Sequence, residues 1–146
     1  MLCLATFAFS GPQLPKPGPR DRCVVCGMFA AKYPDFLARA VTRDGRTFFF
    51  DGPKDLFRFL QEPGRYEPSG PAPAVDAVFV TDYYHLSLID ARTAYYVNGS
   101  DVHGPMGREL IPFGKEAEAK EFLRDHRAKL ILRYNDITSR VLQELE

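Results

Sequence analysis

Short segments rich in apolar residues, typical of β-strands, recur along this chain. Phe36 to Val41 and Arg46 to Phe50 are two such segments, and Asp44-Gly45 between them is typical of a tight hairpin turn. Ala77 to Tyr83 is rich in β-branched and aromatic residues, which favours a third strand. The first part of the chain is therefore predicted to contain an antiparallel strand pair and a later strand.

Between the second and third strands the spacing of apolar residues changes to that of a helix. Asp51 or Gly52 is placed to cap this helix, and Pro53 suits its first turn. A buried stripe is predicted at Leu56, Phe57 and Leu60. A Pro/Gly cluster from Glu62 to Pro73 then separates the helix from the third strand.

The second part of the chain repeats this order. Strands are predicted at Thr93 to Asn98, Glu109 to Phe113 and Lys129 to Tyr134, with a helix at Lys115 to Arg127 before the last strand. The repeated pattern predicts an α+β fold of two tandem ββαβ units, at about 21–85 and 90–146. A further C-terminal helix is expected from Ile137 to Leu145, capped by Asn135 or Asp136.

The first 20 residues differ in composition from the rest. Gly11 to Arg20 holds four prolines and is typical of an extended linker, so the folded domain is predicted to span residues 21–146. Met1 to Ser10 is apolar, lacks the basic start of a secretory signal and is too short to span a bilayer. It could be the remnant of a signal, a hydrophobic tail or an ordinary chain end. Cys3 could carry a lipid only if apolar residues preceded it.

Composition and charge exclude some classes of protein. The 146 residues are 45% hydrophobic and 13% aromatic, which is enough to form a core. Lys+Arg and Asp+Glu are equal at 19 each, so the formal net charge is zero. This balance argues against a broad phosphate-binding surface, and nucleic acid is not expected as a partner.

The segment from Cys23 to Met28 carries the most distinctive chemistry, with two thiols and a thioether in six residues. Thiolate and thioether are soft ligands that select Cu(I). A structural zinc site would need four nitrogen or sulfur ligands, and the chain has only three cysteines. A surface disulfide and a thioredoxin-like redox pair are the alternatives, although the redox motif normally opens a helix and none is predicted after Met28.

A second sulfur stands in the loop Gly99 to Gly107 of the second unit, where Met106 lies between Pro105 and Gly107. Such a loop offers little packing to a flexible apolar side chain. Met106 either fills a gap beneath the loop or presents a sulfur to the same copper ion as Met28. His103, three residues earlier, is a further candidate ligand, whereas a solvated side chain is the simpler reading of His85 and His126.

Motifs of catalysis are missing from the sequence. It has no nucleophile elbow, phosphate loop or His-Glu-x-x-His helix. An enzyme is therefore not expected, and the rival hypothesis is a thiol-based enzyme, either a thiol–disulfide oxidoreductase or a carbon–mercury lyase. The lyase would require a proton donor beside its thiols, for which Asp21 is the candidate.

The order of these motifs resembles the NosL family. The resemblance rests on Cys-x-x-Cys-Gly-Met at residues 23–28, a Phe-rich strand before a short helix, Ala-x-Tyr-Val at 94–97 and Gly-Pro-Met-Gly at 104–107. It covers roughly Asp21 to Tyr134 and implies a fold similar to that of organomercurial lyase. It also implies Cu(I) held by Cys26 and Met28, with Cys23 and Met106 at other motif positions and His103 less certain.

The same resemblance implies a role in denitrification. Proteins of this family are copper-binding accessory factors for nitrous oxide reductase, so the implied partners are that enzyme, or another copper-accepting enzyme, and its assembly transporter complex. The implied location is the periplasm or cell envelope, with possible membrane attachment as a lipoprotein. Transfer of Cu(I) would pass through an intermediate in which donor and acceptor share ligands.

Overall fold

A computed structural model describes residues 14–146, which form four α-helices and three antiparallel sheets. The strands are β1 (Ala38–Thr42), β2 (Thr47–Phe50), β3 (Val75–Thr81), β4 (Leu88–Asp90), β5 (Tyr95–Asn98), β6 (His103–Gly104), β7 (Gly107–Arg108), β8 (Ile111–Phe113) and β9 (Leu130–Leu132). The helices are α1 (Pro53–Gln61), α2 (Pro63–Tyr66), α3 (Glu116–Asp125) and α4 (Ser139–Gln143). The predictions for Met1 to Ser10 and Cys3 lie outside the described residues.

The first sheet has the strand order β2-β1-β3-β4, and each neighbouring pair is antiparallel. Ala40 of β1 lies opposite Phe48 of β2 and Val78 of β3. Because side chains alternate between the faces of a strand, Ala38 and Ala40 enter the core shared with α1, whereas Arg39 lies on the other face.

The second sheet has the order β8-β5-β9, with α3 between β8 and β9 along the chain. Tyr96 of β5 lies opposite Pro112 of β8 and Leu132 of β9. Phe122 of α3 packs on Phe113 of β8, with ring centroids 5.1 Å apart. The small β6–β7 hairpin is a separate two-stranded sheet inserted before β8.

One hydrophobic core joins the two sheets. The ring of Tyr96 packs edge-on against Phe57 of α1 at 5.2 Å, and both side chains are buried. The Tyr96 hydroxyl donates to the carbonyl of Ala91 at 2.6 Å, which satisfies its polar group inside the core. Helix α1 is therefore fixed between the two sheets, and its first turn positions the site described below.

The mixed α+β class is confirmed, and the main strands and helices lie where the sequence predicts them, with ends that differ by a few residues. Four short elements were not predicted, namely β4, β6, β7 and α2. Each has two to four residues, which is too short for a periodic pattern to develop.

The start of the C-terminal helix was predicted wrongly. Helix α4 begins at Ser139, and the hydroxyl of Thr138 caps it by accepting from the backbone N–H of Val141. Asp136 instead accepts from the N–H of Arg133 and closes the preceding 3-10 turn. Ile137 is nonetheless buried just before the helix, together with Leu142 and Leu145.

Among residues 14–146, no helix is long and apolar enough to cross a lipid bilayer.

Candidate metal centre

Cys23 and Cys26 lie in a short closed loop before the first sheet. The N–H of Cys23 donates to the carbonyl of Met28, and the N–H of Gly27 donates back to the carbonyl of Cys23, both at 2.8 Å. Gly27 has a φ of 80°, a left-handed conformation that favours glycine, and this reversal brings Met28 opposite Cys23. The loop therefore holds both cysteines in a defined backbone geometry.

Two carboxylates from the start of α1 meet these thiols. The Cys26 thiol donates to Oδ1 of Asp51, and the Cys23 thiol donates to Oδ2 of Asp55, each at 3.3 Å. The four potential ligand atoms of these side chains all lie within 4.8 Å of one another. Asp51 directly follows β2, and Asp55 is in the first turn of α1, where the helix dipole favours negative charge.

Burial makes ionisation of this cluster costly. The Cys23 side chain is 1% exposed, and burial is the main cause that raises the pKa of its thiol to about 12. Burial also raises the pKa of the half-buried Cys26 thiol, and the neighbouring Asp55 adds to that shift. The pKa of Asp51 is raised by burial and by the negative charge of Asp55. Both thiols therefore stay protonated at neutral pH until something replaces their protons.

The two alternatives for the cysteine pair fit this geometry poorly. Cys23 and Cys26 are both free, so they form no disulfide with each other. Redox C-x-x-C motifs depend on a lowered thiol pKa, often at a helix N-terminus. Here both thiol pKa values are raised, and only a single 3-10 turn, Ala30–Lys32, follows the loop.

The donor set suits a thiophilic metal ion. Two thiolates would supply the soft ligands that Cu(I) prefers. The carboxylates of Asp51 and Asp55 add hard oxygen donors, and cysteine with aspartate is also a known zinc donor combination. The sequence argument against zinc counted only nitrogen and sulfur and missed these two oxygens.

Met106, like His103, is a predicted ligand from another part of the chain. It lies at the tip of the β6–β7 hairpin and is 44% exposed, so it does not fill a gap beneath the loop. The Lys54 ammonium donates to the carbonyls of Met106 at 3.0 Å and Arg108 at 2.9 Å. Since Lys54 directly precedes Asp55, this contact attaches the hairpin to the helix turn that carries the carboxylates.

Glu109 completes the connection between the hairpin and α1. Its Oε1 accepts from the backbone N–H groups of Lys54 at 2.7 Å and Leu110 at 2.8 Å. A Cβ added at Gly52 would collide with Oε2 of Glu109, so the close approach of this carboxylate depends on a glycine there. Burial raises the pKa of Glu109 to about 8.

Other candidate residues lie outside the cluster. His103 is exposed on β6 and is not among the side chains that meet around the two thiols. Asp21, the proposed proton donor of a lyase, accepts from the N–H of Gly18 in an exposed turn. His85 contacts Glu118 at 2.8 Å beside Asp82, whose two carboxylate oxygens already accept from three backbone N–H groups. Met28, Met106 and His103 stay predicted ligands.

Sequence reasoning missed the four charged residues around the site, namely Asp51, Asp55, Lys54 and Glu109. One signal was available, because Asp51 and Asp55 are four positions apart at a predicted helix start and so share one side of its first turn. Their meeting with the cysteines depends on tertiary packing across 25 and 32 positions.

Two solved structures resemble this chain in fold. The crystal structure of the copper chaperone NosL from Shewanella denitrificans matches with a TM-score of 0.74 and 26% identity, over 89% of this chain and 98% of that one. The solution structure of apo-NosL from Achromobacter cycloclastes matches with a TM-score of 0.51 and 23% identity, over 72% and 87% of the two chains. The second match shows the fold alone.

Sequence comparison identifies relatives of the same kind. The copper-binding lipoprotein NosL of Stutzerimonas stutzeri is 32% identical over 133 residues, which cover 85% of this chain and 65% of that protein. None of these relatives is named as an enzyme. The NosL family model matches residues 16–142. The chain therefore belongs to the NosL family.

Proposed function

We propose that this protein is a copper chaperone that binds Cu(I) through Cys23, Cys26 and Met28. The observation that carries the proposal is the meeting of two free thiols with their ligand atoms within 4.8 Å of each other and of two carboxylates. Met106 and His103 are proposed as further ligands from the β6–β7 hairpin. The names of the relatives support copper as the cargo.

The burial of the two thiols suggests how the cargo is held and released. Cys23 is buried and acts as the retained ligand, whereas Cys26 is half-buried and Met106 is exposed. An acceptor ligand reaches Cu(I) from the side of Cys26, and the ion passes through an intermediate in which both proteins share ligands. The carboxylates of Asp51 and Asp55 stand next to the protons that the thiols lose on binding.

The proposed acceptor is a copper enzyme, namely nitrous oxide reductase, or its assembly transporter complex. The proposed location is the periplasm or cell envelope, with membrane attachment as a lipoprotein, and it draws on the name of the Stutzerimonas relative. Anaerobic mixing of the Cu(I)-loaded protein with the apo-enzyme tests the delivery. Copper must reach the apo-enzyme faster from the loaded protein than from a small-molecule copper chelate at the same concentration.

A titration of Cu(I) against a competing chelator without oxygen tests the metal site. Cys26→Ser and Cys23→Ser are expected to lower the affinity by at least tenfold, and Met28→Leu and Met106→Leu by less, because Leu conserves the volume but removes the sulfur. Cys3→Ser is the matched control for loss of a thiol. Unchanged affinity in Cys26→Ser contradicts the proposal.

A second arm separates copper from zinc. Asp51→Asn and Asp55→Asn replace the charged carboxylates with neutral amides, which are much weaker metal ligands, but keep the side-chain shape. A Cu(I) site made of sulfur ligands retains or gains affinity in both variants, because removal of a carboxylate charge also favours the thiolates, whereas a Cys/Asp zinc site loses affinity. Preferential binding of Zn(II) that depends on the aspartates, or carbon–mercury bond cleavage by the apo-protein, would show that the cluster serves another purpose.

We further propose that the two larger sheets are tandem ββαβ units with the fold of organomercurial-lyase halves. In β2-β1-β3 and in β8-β5-β9 the first strand of the unit lies in the middle, and the helix precedes the third strand in both. Superposition of Ala38 to Val80 on Tyr95 to Leu132 would test this relationship.

A further inference from the structure

The outer face of the first sheet carries a buried cation that has no ion-pair partner in the described part of the chain. Arg39 of β1 is only 8% exposed and lies on the face opposite α1. Among residues 14–146, its Nε atom has no hydrogen-bond partner, and no carboxylate forms an ion pair with the guanidinium. Phe49 lies beside it, with the ring centroid 5.9 Å from Cζ. A buried guanidinium without a counter-ion is costly, so the position calls for an anion from outside.

Arg39 lines a groove of about 910 Å³. This volume lies within the roughly 300–1,000 Å³ of typical sites for small ligands. The walls are mainly aliphatic and come from the linker, the loop after the cysteines, and strands β1, β3 and β4; they include Leu14, Pro34, Leu37, Leu86 and Leu88. The groove lies apart from the cysteine cluster, because none of the four cluster residues lines it.

The charges in the groove have one sign. The exposed Lys16 is the second cation that lines it, and no acidic side chain among residues 14–146 does so. Thr81 is the other polar side chain of the lining, and its hydroxyl already donates to the carbonyl of Leu37 at 2.8 Å. The groove therefore offers a positive charge and an apolar surface, and little else.

Leu86 shows an unusual backbone at the groove. Its φ is 54°, a left-handed conformation that is rare and costly for a Leu, and its side chain is 59% exposed. Strained backbone of this kind tends to persist at sites of function. Here it places an apolar side chain in solvent on the wall of the groove.

We propose that this groove binds a long-chain carboxylic acid, with the carboxylate on Arg39 and the alkyl chain along the aliphatic walls. A guanidinium pairs with a carboxylate through two parallel hydrogen bonds, which suits a monocarboxylate better than a point cation would. An alkyl chain brings no polar groups that need partners. A peptide would bring backbone N–H and C=O groups, which the lining side chains could not satisfy.

Calorimetric titration with dodecanoate below its micelle concentration tests the proposal on the full chain. Arg39→Met should weaken dodecanoate binding by about tenfold to hundredfold, as expected for loss of a charge-assisted hydrogen-bond pair. Arg43→Met is the matched control, since Arg43 is an exposed arginine of the β1–β2 turn outside the groove. Dodecanol, which has no carboxylate, should bind the wild type and Arg39→Met with equal affinity, and more weakly than dodecanoate binds the wild type.

Stability measurements distinguish this role from a structural one. An arginine that only supports the fold would destabilise the protein when it is changed to Met, whereas an unpaired buried cation should leave stability unchanged or increased. Leu86→Asp, which suits the left-handed backbone, should weaken dodecanoate binding without unfolding. Absence of dodecanoate binding to the wild type, equal binding by Arg39→Met, or binding only to anionic phosphatidylglycerol vesicles would overturn the proposal.

Discussion

The thiol of Cys26 donates to the carboxylate of Asp51 across 3.3 Å, although 25 positions separate the two residues in the chain. Loss of the thiol proton without a metal ion would place two negative charges side by side in a partly buried site. Binding of a cation removes that conflict. Proton release and metal binding are therefore coupled in this cluster.

The first prediction is that apparent Cu(I) affinity rises with pH between 6 and 8. The pKa of Cys23 is about 12 and that of Cys26 is raised, so both thiols are protonated throughout this range. Each thiol that becomes a ligand releases one proton, and the affinity should rise about tenfold per pH unit for each. Chelator competition at three pH values measures the slope. Cys26→Ser should lower that slope by about one proton, and a flat profile would contradict the coupling.

The second prediction concerns the reactivity of the half-buried thiol. Asp55→Asn removes a negative charge that raises the pKa of both cysteines, so the thiolate fraction of Cys26 should increase. A fall of one pKa unit multiplies this fraction by about ten at pH 8. Alkylation of the apo-protein by iodoacetamide should accordingly become several-fold faster. Glu121→Gln, on the exposed side of α3, is the control. A rate equal to that of the wild type would show that burial alone sets the pKa.

The sequence predicted the parts of the fold whose pattern is local. The hairpin at Asp44-Gly45 follows from turn chemistry and the strand Ala77 to Tyr83 from its β-branched and aromatic residues, and both are present, as β1–β2 and β3. The three-residue strand β4 shows no such pattern. Its place is fixed by pairing with β3, a contact that periodicity does not reveal.

The sequence likewise predicted the local part of the site and missed the residues that tertiary packing brings to it. The motif from Cys23 to Met28 is contiguous, so its chemistry could be read directly. Lys54 carries no signal in the sequence, yet it is buried and donates to two carbonyls of a hairpin more than 50 positions away. Exposed and buried lysines are alike in sequence, and only the packed structure separates them.

The third prediction is that Lys54→Met destabilises the protein by about 2–4 kcal/mol. The part-buried carbonyls of Met106 and Arg108 would lose a charged donor, and each such bond contributes about 1.5–3 kcal/mol. Urea unfolding of the apo-protein measures the change. Lys120→Met is the matched control, since the exposed Lys120–Glu116 pair should contribute less than about 0.5 kcal/mol. Equal stability of the two variants would exclude a structural role for the Lys54 contact.

The fourth prediction is that stability falls as pH rises from about 5 to 8. The pKa of Glu109 is about 8 in the folded protein, against an ordinary 4.5, so in this window the folded state holds a proton that the unfolded chain has lost. Stability is therefore lost with rising pH, by at most about 1.4 kcal/mol per unit from this residue. Glu109→Gln keeps the acceptor oxygen and should flatten the profile of urea midpoint against pH. Parallel profiles for the two proteins would contradict a raised pKa.

The edge-on contact of Phe57 with Tyr96 makes the two sheets depend on each other for stability. One aromatic pair ties the helix that supplies Asp55 to the middle strand of the opposite sheet. Neither sheet can unfold without exposing the apolar surface that it buries against the other sheet. Heat or urea should therefore unfold the protein in a single cooperative step. A fragment cut within β4 should aggregate rather than fold alone.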